Sequence, residues 1–238
     1  MCNEACLDFG RRFLLREEIA GKKVLEVGSM DVNGSLRAIV QTMGPASYLG
    51  VDIVAGPGVD VVCGASDLVP RFGEAVFDAV ISTEMLEHVR DWRVAVSNMK
   101  RVLKPGGTIL ITTRSHGFAY HGYPYDFWRY TPDDMRTIFA DMQLQALVSD
   151  PMAPGVFVKV RKPHDFVERD LADVPLYSVV AGRRALYVTG LDLLIFKLRR
   201  AVLMGSSMII PRSLKALIPA GLKRAFYARC GRQDEKSS

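Results

Sequence analysis

The stretch that decides the fold of this chain is K-K-V-L-E-V-G-S, from Lys22 to Ser29. Its apolar run ends in an acid and a glycine, which is typical of a buried parallel strand that leads into a turn. A second run, Y-L-G-V-D-I, ends at Asp52 and Ile53. Ligands of open α/β sheets lie outside the carboxyl ends of the strands. The strand-end acids Glu26 and Asp52 therefore predict a nucleoside ligand at this edge, with Asp52 accepting hydrogen bonds from both ribose hydroxyls.

Strand and helix patterns alternate from this stretch to about residue 160. Helices are predicted over residues 7–20, from near Gly34, from near Arg90 and at Pro132, where Thr131 can act as the N-cap. The predicted strands are Lys23–Val27, Ser47–Val51, Val59–Val62, Phe77–Ser82, Thr108–Thr113, Gln145–Val148 and Val156–Val160. This alternation predicts a doubly wound α/β fold around a largely parallel sheet.

The C-terminal part of the chain lacks this alternation. We expect residues 1–163 to form the ligand-binding domain and residues 164–238 to form a basic, mostly helical appendage. Residues 1–181 contain 19 Lys and Arg against 23 Asp and Glu, whereas residues 182–238 contain 12 against 3. The basic character of the chain therefore belongs to its C-terminal quarter.

The role of this basic quarter stays open between three interpretations. Its apolar runs Leu191–Phe196 and Ala201–Ile210 suit attachment of residues 182–238 to an anionic membrane surface, although the charges do not segregate to one helical face. A helical lid or dimerisation arm, and a partly solvated appendage, fit the same composition. Nucleic-acid binding is not expected, because few aromatic residues alternate with the basic ones and no binding motif is present. The sequence gives no oligomeric state.

The overall composition is that of a globular protein with a sizeable core. The chain has 238 residues, of which 49% are apolar and 24% are charged. Its N-terminus has acids and no apolar segment of the kind found in signal peptides. The four cysteines show neither a CxxC pair nor a His/Cys ligand spacing. We expect a cytoplasmic protein without a metal site, with peripheral contact at the inner membrane face as the alternative location.

The loop after the first strand separates two classes of nucleoside ligand. A nicotinamide dinucleotide needs a G-x-G-x-x-G loop around its pyrophosphate. Here Met30 and Asn33 follow Gly28 where the later glycines would stand. A ligand with a ribose and no phosphate therefore fits better, and S-adenosylmethionine is such a ligand. A nicotinamide oxidoreductase remains a distant alternative.

Two further segments carry a family resemblance. F-D-A-V-I-S-T-E-M-L-E-H-V, from Phe77 to Val89, and R-V-L-K-P-G-G, from Arg101 to Gly107, resemble the fourth-strand and pre-fifth-strand motifs of class I S-adenosylmethionine-dependent methyltransferases. Together with V-L-E-V-G-S and G-V-D-I they occur in the family's order over roughly residues 20–160. The resemblance implies a Rossmann-like seven-stranded sheet with an antiparallel final hairpin, and S-adenosylmethionine as the cofactor.

The resemblance also assigns cofactor contacts to strand-end residues. It places Glu26 near the methionine amino group, and Gly28 and Ser29 near the cofactor backbone. Asp52 and Ile53 are assigned to the ribose, and Ala65, Ser66 and Asp67 to the adenine. Thr83 and Glu84 are assigned to the methyl end. The chain departs from the family in two places. Met30 and Val32 stand where glycines are common, and Gly64 stands where many relatives carry an Asp, for which Asp67 can substitute.

The most distinctive segment, from His116 to Thr131, follows the fifth strand and is rich in aromatic residues. Aromatic rings with polar tips make suitable walls for a ring-shaped or sugar-like acceptor. The residues we expect to contact the acceptor are Tyr123, Trp128, Arg129 and Tyr130. In a second interpretation the aromatic rings pack on the helix at Pro132, and Asp126 forms a local ion pair with Arg129. The two interpretations are compatible.

The chemistry expected at this segment is methyl transfer to a hydroxyl group. Such a transfer benefits from a base whose pKa lies near neutrality. His121 is the favoured candidate, His116 the second, and Asp126 either orients the histidine or acts as the base. The sequence thus predicts O-methylation of a small molecule, a glycan or a lipid-linked sugar. The alternative from another class is a non-catalytic cofactor-binding or scaffold protein that uses its basic tail to contact a membrane or a partner.

Overall fold

A seven-stranded mixed sheet forms the centre of the structure, a computed structural model that describes residues 3–122 and 125–203. The strands are β1 (Lys23–Val27), β2 (Ser47–Asp52), β3 (Val61–Val62), β4 (Phe77–Thr83), β5 (Leu103–Arg114), β6 (Trp128–Arg129), β7 (Gln143–Ser149), β8 (Gly155–Arg161), β9 (Leu176–Ser178) and β10 (Arg183–Ala185). The sheet order is β3-β2-β1-β4-β5-β8-β7. Strand β8 runs antiparallel to β5 and β7, and the other neighbours are parallel. The predicted fold and its final antiparallel hairpin are confirmed.

Helices connect the strands of this sheet. They are α1 (Glu4–Phe13), α2 (Arg16–Ile19), α3 (Arg37–Thr42), α4 (Leu68–Phe72), α5 (Trp92–Val102), α6 (Pro132–Ile138) and α7 (Gly190–Leu203). The helix predicted over residues 7–20 is split into two, because Leu14 and Leu15 adopt extended backbone. The predicted cap of α6 is confirmed. Thr131 Oγ1 accepts a hydrogen bond from the Asp134 amide at 3.1 Å, and the Asp134 carboxylate accepts one from the Thr131 amide at 2.9 Å.

The carboxyl ends of the central parallel strands meet at one edge of the sheet. Strand β1 lies between β2 and β4, so that Glu26 pairs with Gly50 on one side and Ile81 on the other. The amides of Gly28 and Ser29 donate hydrogen bonds to the Val51 carbonyl at 2.9 and 3.0 Å. These bonds hold the loop after β1 against the end of β2, which places the predicted ligand residues next to each other.

A second, three-stranded sheet has the order β10-β9-β6. Trp128 of β6 pairs with Ser178 of β9, and the Val179 amide donates a hydrogen bond to the Phe127 carbonyl at 2.9 Å. Residues 164–188 therefore contain strands that the sequence did not predict. The compact unit that contains both sheets ends at Val188, later than the boundary we expected after residue 163. Strands of two or three residues are too short to show the alternation by which strands are recognised.

Helix α7 belongs to a second unit, which begins at Thr189. Residues 204–238, with most of the apolar run Ala201–Ile210, lie outside the described residues. Within the described part of the chain, no helix has the length and apolar character needed to cross a bilayer.

Candidate active site

The carboxylate of Glu26 lies buried at the end of β1, with 1% of its surface exposed. The Ser35 hydroxyl, from the loop that follows β1, donates to Glu26 Oε1 at 3.1 Å. Burial raises the pKa of Glu26 to about 7, although the hydroxyls of Tyr48 and Ser35 act in the opposite direction. Near neutral pH this carboxyl group is therefore poised between its neutral and charged forms, and a cation beside it would favour the charged form.

The turn after Glu26 requires a glycine and leaves a buried hydroxyl group. Gly28 has a φ of +80°, and a Cβ at this position would collide with the side chain of Met85. Ser29 is buried, and its Oγ has no hydrogen-bond partner among the described residues. A buried hydroxyl without a partner is costly unless a ligand or a water molecule supplies one. The predicted contact residues Gly28 and Ser29 thus fit a polar group of a ligand at this edge.

Asp52, at the end of β2, is oriented by the loops on either side of it. Its Oδ2 accepts a hydrogen bond from the Met30 amide at 3.2 Å, and its Oδ1 accepts a longer one from the Val54 amide at 3.4 Å. The side chain is only partly buried, so each oxygen keeps lone pairs for a ligand. This position and orientation suit the predicted contact with ribose hydroxyls.

An open cavity of about 700 Å³ lies beyond Asp52, next to the ends of β2 and β3. Two predicted residues, Ile53 and Asp67, line it, whereas Ala65 and Ser66 lie in the adjoining 3-10 turn and are absent from the lining that the structure describes. The full lining is Ile53, Val62, Cys63, Gly64, Asp67, Pro70 and Arg71. The mixture of apolar walls and one carboxylate suits an adenine ring. The sequence missed Val62, Pro70 and Arg71, because no motif marks them.

At the other end of this edge, β4 ends at Thr83 and leads into a strained residue. Glu84 has a φ of +54°, a left-handed conformation that is uncommon for a residue other than glycine. Its buried carboxylate forms an ion pair with Arg114 and accepts from Cys6 Sγ at 3.6 Å. Burial and the nearby charge of Glu87 raise the pKa of Glu84, while Arg114 acts in the opposite direction. Strained backbone and perturbed carboxyl groups cluster at functional sites. The contact of Thr83 and Glu84 with the cofactor stays a prediction.

His121 lies between two buried carboxylates. Its Nδ1 is 3.0 Å from Asp126 Oδ2, and its Nε2 is 3.5 Å from Glu87 Oε1. Burial acts to lower the pKa of His121, but the two carboxylates outweigh it and raise the pKa to about 9. The imidazole is therefore a cation at neutral pH, with a proton on each nitrogen. A protonated imidazole has no free lone pair for the proton of an acceptor hydroxyl, so this arrangement favours a positioning role for His121. Its role as the base stays a prediction.

Asp126 is equally unsuited to act as a base. It has no exposed surface. Burial acts to raise its pKa, but Arg129 and His121 together hold the pKa well below the usual range of an aspartate. Arg129 pairs with both carboxylate oxygens and also donates to the Ala119 carbonyl at 3.1 Å. The ion pair between Asp126 and Arg129 of our second interpretation is present. Together with the hydrogen bond to Ala119, it links distant parts of the loop between β5 and β6 to each other.

The aromatic residues predicted to contact an acceptor are mostly interior. Trp128 is fully buried and donates from Nε1 to the Val89 carbonyl at 3.0 Å. Tyr130 is also fully buried, and its hydroxyl donates to the Leu86 carbonyl at 3.2 Å. Arg129 is 1% exposed. These three side chains hold the loop in place and do not face an acceptor, because each is enclosed by the protein. Tyr123 lies outside the described residues.

Other rings of this loop remain accessible. His116 is exposed, and its ring centroid lies 4.5 Å from that of Tyr177 on β9. Phe118 is half-buried, with its centroid 4.9 Å from that of His121. The sequence did not indicate Tyr177, because its three-residue strand carries no recognisable pattern. His116, Phe118 and Tyr177 are thus among the accessible rings of the described residues, whereas Trp128 and Tyr130 are buried.

One group of side chains has the chemistry of a metal site. Glu87, His88 and His121 place one donor atom each within 4.8 Å of one another. Imidazole and carboxylate together suit divalent transition metals, but a metal would have to displace the proton that the carboxylates hold on His121. No ligand spacing marked this group in the sequence, because His121 is far from the Glu87–His88 pair along the chain.

Comparison with known proteins identifies the family of this chain. Residues 15–111 match the family model described as a methyltransferase domain. A Mycobacterium ulcerans protein, probable phthiotriol/phenolphthiotriol dimycocerosates methyltransferase 2, is 35% identical over 195 residues, which are 75% of this chain and 69% of that protein. The chain belongs to the class I S-adenosylmethionine-dependent methyltransferases.

Two other comparisons concern a second relative and the fold. The ubiquinone biosynthesis O-methyltransferase of Chromobacterium violaceum is 32% identical over 124 residues, or 47% of this chain and 51% of that protein. The fold matches that of a Burkholderia thailandensis 1,6-didemethyltoxoflavin-N1-methyltransferase with bound S-adenosylhomocysteine. That match has a TM-score of 0.56 and 18% identity, and it covers 68% of this chain and 80% of the other.

S-adenosylmethionine is the cofactor of the methyltransferase, as predicted, and the residues at the sheet edge fit it. Asp52 offers free lone pairs, Ser29 offers a hydroxyl group without a partner, and the cavity beside Ile53 has room for an aromatic base. The prediction of an enzyme is thereby confirmed over the alternative of a non-catalytic scaffold.

Proposed function

We propose that this methyltransferase transfers the methyl group of S-adenosylmethionine to an oxygen atom of an amphipathic acceptor, such as a lipid or a lipid-linked sugar. The observation that carries the proposal is the set of accessible rings, His116, Phe118 and Tyr177, on loop β5–β6 and strand β9. The names of the relatives support it, since one refers to a dimycocerosate lipid and another to an O-methylation in ubiquinone biosynthesis.

In this proposal the protein supplies alignment and charge, and S-adenosylmethionine supplies an electrophilic methyl group. Glu26 holds the methionine amino group, Asp52 the ribose, and Ile53 and Asp67 the adenine. Ala65 and Ser66, from the turn before Asp67, complete the adenine side. Thr83 and Glu84 bound the methyl end. The family resemblance implies these assignments, and the positions of Glu26, Asp52 and Thr83 at the carboxyl ends of β1, β2 and β4 support them.

The proton of the acceptor hydroxyl needs a recipient other than His121. His116 is the remaining histidine of the loop, and it is exposed beside Tyr177. We assign His116 the role of base, and His121 and Asp126 the role of holding the loop. Tyr123 stays a proposed acceptor contact, whereas Trp128, Arg129 and Tyr130 support the loop from inside.

The proposal is tested with radiolabelled S-adenosylmethionine and paired acceptors that share one apolar tail and differ in carrying a hydroxyl or an amino group. Transfer to the hydroxyl compounds alone is expected. Transfer to the amino compounds alone would contradict the O-methylation proposed here. His116→Gln should lower turnover while leaving the affinity for S-adenosylhomocysteine unchanged, and unchanged turnover would remove His116 from the role of base.

A further inference from the structure

Helix α7 carries a stripe of large apolar side chains that face solvent. Leu191, Leu194, Ile195 and Leu198 are 64%, 53%, 38% and 53% exposed. Their spacing of three, four and seven residues places them on one side of the helix. Apolar side chains that share a helical face in this way need a partner surface, whereas isolated ones do not.

Basic residues border this stripe, which indicates a partner surface of negative charge. At 100° per residue, Lys197 and Arg199 lie on the two sides of the stripe, and both are exposed. The acid of the helix, Asp192, serves the N-terminal cap, where its amide donates to Thr189 Oγ1 at 3.1 Å and its carboxylate accepts the Thr189 hydroxyl at 2.6 Å. Acidic and basic groups are thus separated along the helix, and the half that carries Lys197 and Arg199 is positive.

We propose that α7 lies on the surface of an anionic membrane, with the stripe among the acyl chains nearest the headgroups and Lys197 and Arg199 at the acidic headgroups. Long basic side chains at the border of an apolar face can extend to the headgroups while their stems stay in the apolar layer. The 14 residues of α7 span about 21 Å, too short for a bilayer core. Residues 189–238 contain 10 Lys and Arg against 3 Asp and Glu, which adds to the attraction for anionic lipid.

A protein partner or a second copy of this chain fits the charges less well. The exposed basic residues border the stripe on both sides, and two such faces would bring like charges together in a symmetric dimer. The inference is independent of which acceptor is methylated, because it rests on α7 alone.

The test is flotation of the full-length protein with vesicles of phosphatidylcholine, with and without phosphatidylglycerol. Binding to the anionic vesicles only, weakened by high salt, is expected. Leu194→Glu combined with Leu198→Glu should lower the bound fraction at least about ten-fold. The matched control is Val167→Glu, which adds a charge at an apolar residue of the first unit that is 81% exposed, and it should float like the wild type.

A second variant tests the role of the basic residues, and the molar mass in solution tests for a dimer. Lys197→Gln with Arg199→Gln changes only exposed charges and should reduce both the binding and its salt dependence. Binding of S-adenosylhomocysteine by each variant shows that the first unit is folded, and circular dichroism reports on the helix. Equal flotation of the Leu194/Leu198 variant and the Val167 control overturns the proposal. Light scattering without vesicles provides a second test. A dimer of the wild type that is lost in the Leu194/Leu198 variant also overturns the proposal, because the stripe then contacts a second copy of the chain.

Discussion

At the scale of single residues, the buried carboxyl group of Glu26 makes the stability of the enzyme depend on pH. Its pKa is raised by burial from 4.5 to about 7. Between these values the folded protein holds a proton that the unfolded chain has released, so the free energy of unfolding falls as the pH rises through this window. The carboxylate form of Glu26 is therefore unfavourable in the enzyme without cofactor. The ammonium group proposed to bind there would offset this cost.

We predict that Glu26→Gln stabilises the free enzyme at pH 8 by about 2 kcal/mol and removes most of its affinity for S-adenosylhomocysteine. The glutamine keeps a hydrogen-bond acceptor for Ser35 and has no charge to desolvate. Denaturant unfolding at pH 5 and pH 8, with calorimetry for the ligand, measures both effects. The prediction fails if the stability of wild type and variant depends on pH in the same way between these values.

The pKa of His121 gives a linkage of the same sign at higher pH. Its pKa is raised from 6.5 to about 9 by Asp126 and Glu87, which outweigh the effect of burial. The stabilisation that it provides is complete below pH 6.5 and is lost as the pH rises through about 9. A histidine that acts as a base would instead require low-pH inactivation near its pKa. The pH profile thus separates a role in positioning from a role in proton transfer.

We predict that turnover of the wild type declines as the pH rises through about 9, and that His121→Gln lowers kcat/KM about ten-fold or more and abolishes this decline. The affinity for S-adenosylhomocysteine should not change. His164→Gln, at an exposed histidine outside the loop, is the control. If wild-type activity depends instead on a group that must lose its proton near pH 9, His121 is the base after all.

At the scale of elements, the surroundings of the loop between β5 and β6 are assembled from segments far apart in sequence. Strand β9 pairs with β6, and this pairing brings Tyr177 to His116. Arg93 of α5 holds the segment before β9 by donating to the carbonyls of Leu171 and Val174 at 2.7 and 2.6 Å. Residues beyond 163 therefore contribute a ring, Tyr177, beside the loop in which we propose that the acceptor binds.

We predict that Tyr177→Ala raises the KM for the acceptor about five-fold, since an aromatic contact of this kind contributes about 1 kcal/mol. The affinity for S-adenosylhomocysteine should stay the same, because the cofactor residues lie at the ends of other strands. Tyr187→Ala, at a more exposed tyrosine near β10, is the matched control. An equal effect of both substitutions on the KM would show that Tyr177 acts only through the fold.

The same elements show why sequence reasoning succeeded in one place and failed in another. Strands such as β1 and β4 are runs of Val, Ile and Leu buried on both faces, and such runs are visible in a single sequence. The strand-end acids follow directly from them. Trp128 and Tyr130 were assigned to the acceptor because they lie in a predicted loop. Their burial depends on carbonyl partners near Leu86 and Val89, contacts between distant segments that no local pattern encodes.

At the scale of the whole molecule, a buried ion cluster joins the N-terminal helix to the sheet. Arg114, the last residue of β5, pairs with Glu84 at the end of β4 and with Asp150 Oδ2, at 3.0 Å, in the turn before β8. Asn3, the N-cap of α1, donates to the same Asp150 oxygen at 2.9 Å. Asn3 and the start of α1 are thereby held beside the end of β4.

Removing Arg114 leaves two buried carboxylates without their counter-charge, and breaking a buried ion pair from one side costs about 3 to 5 kcal/mol. We predict that Arg114→Gln lowers the free energy of unfolding by about 3 kcal/mol. Arg136→Gln breaks the exposed pair with Asp133 and should change the free energy of unfolding by less than about 0.5 kcal/mol. Denaturant unfolding of the two variants gives the comparison. Similar small losses in both would mean that Glu84 and Asp150 are neutralised by protons, and that α1 is held by its apolar face alone.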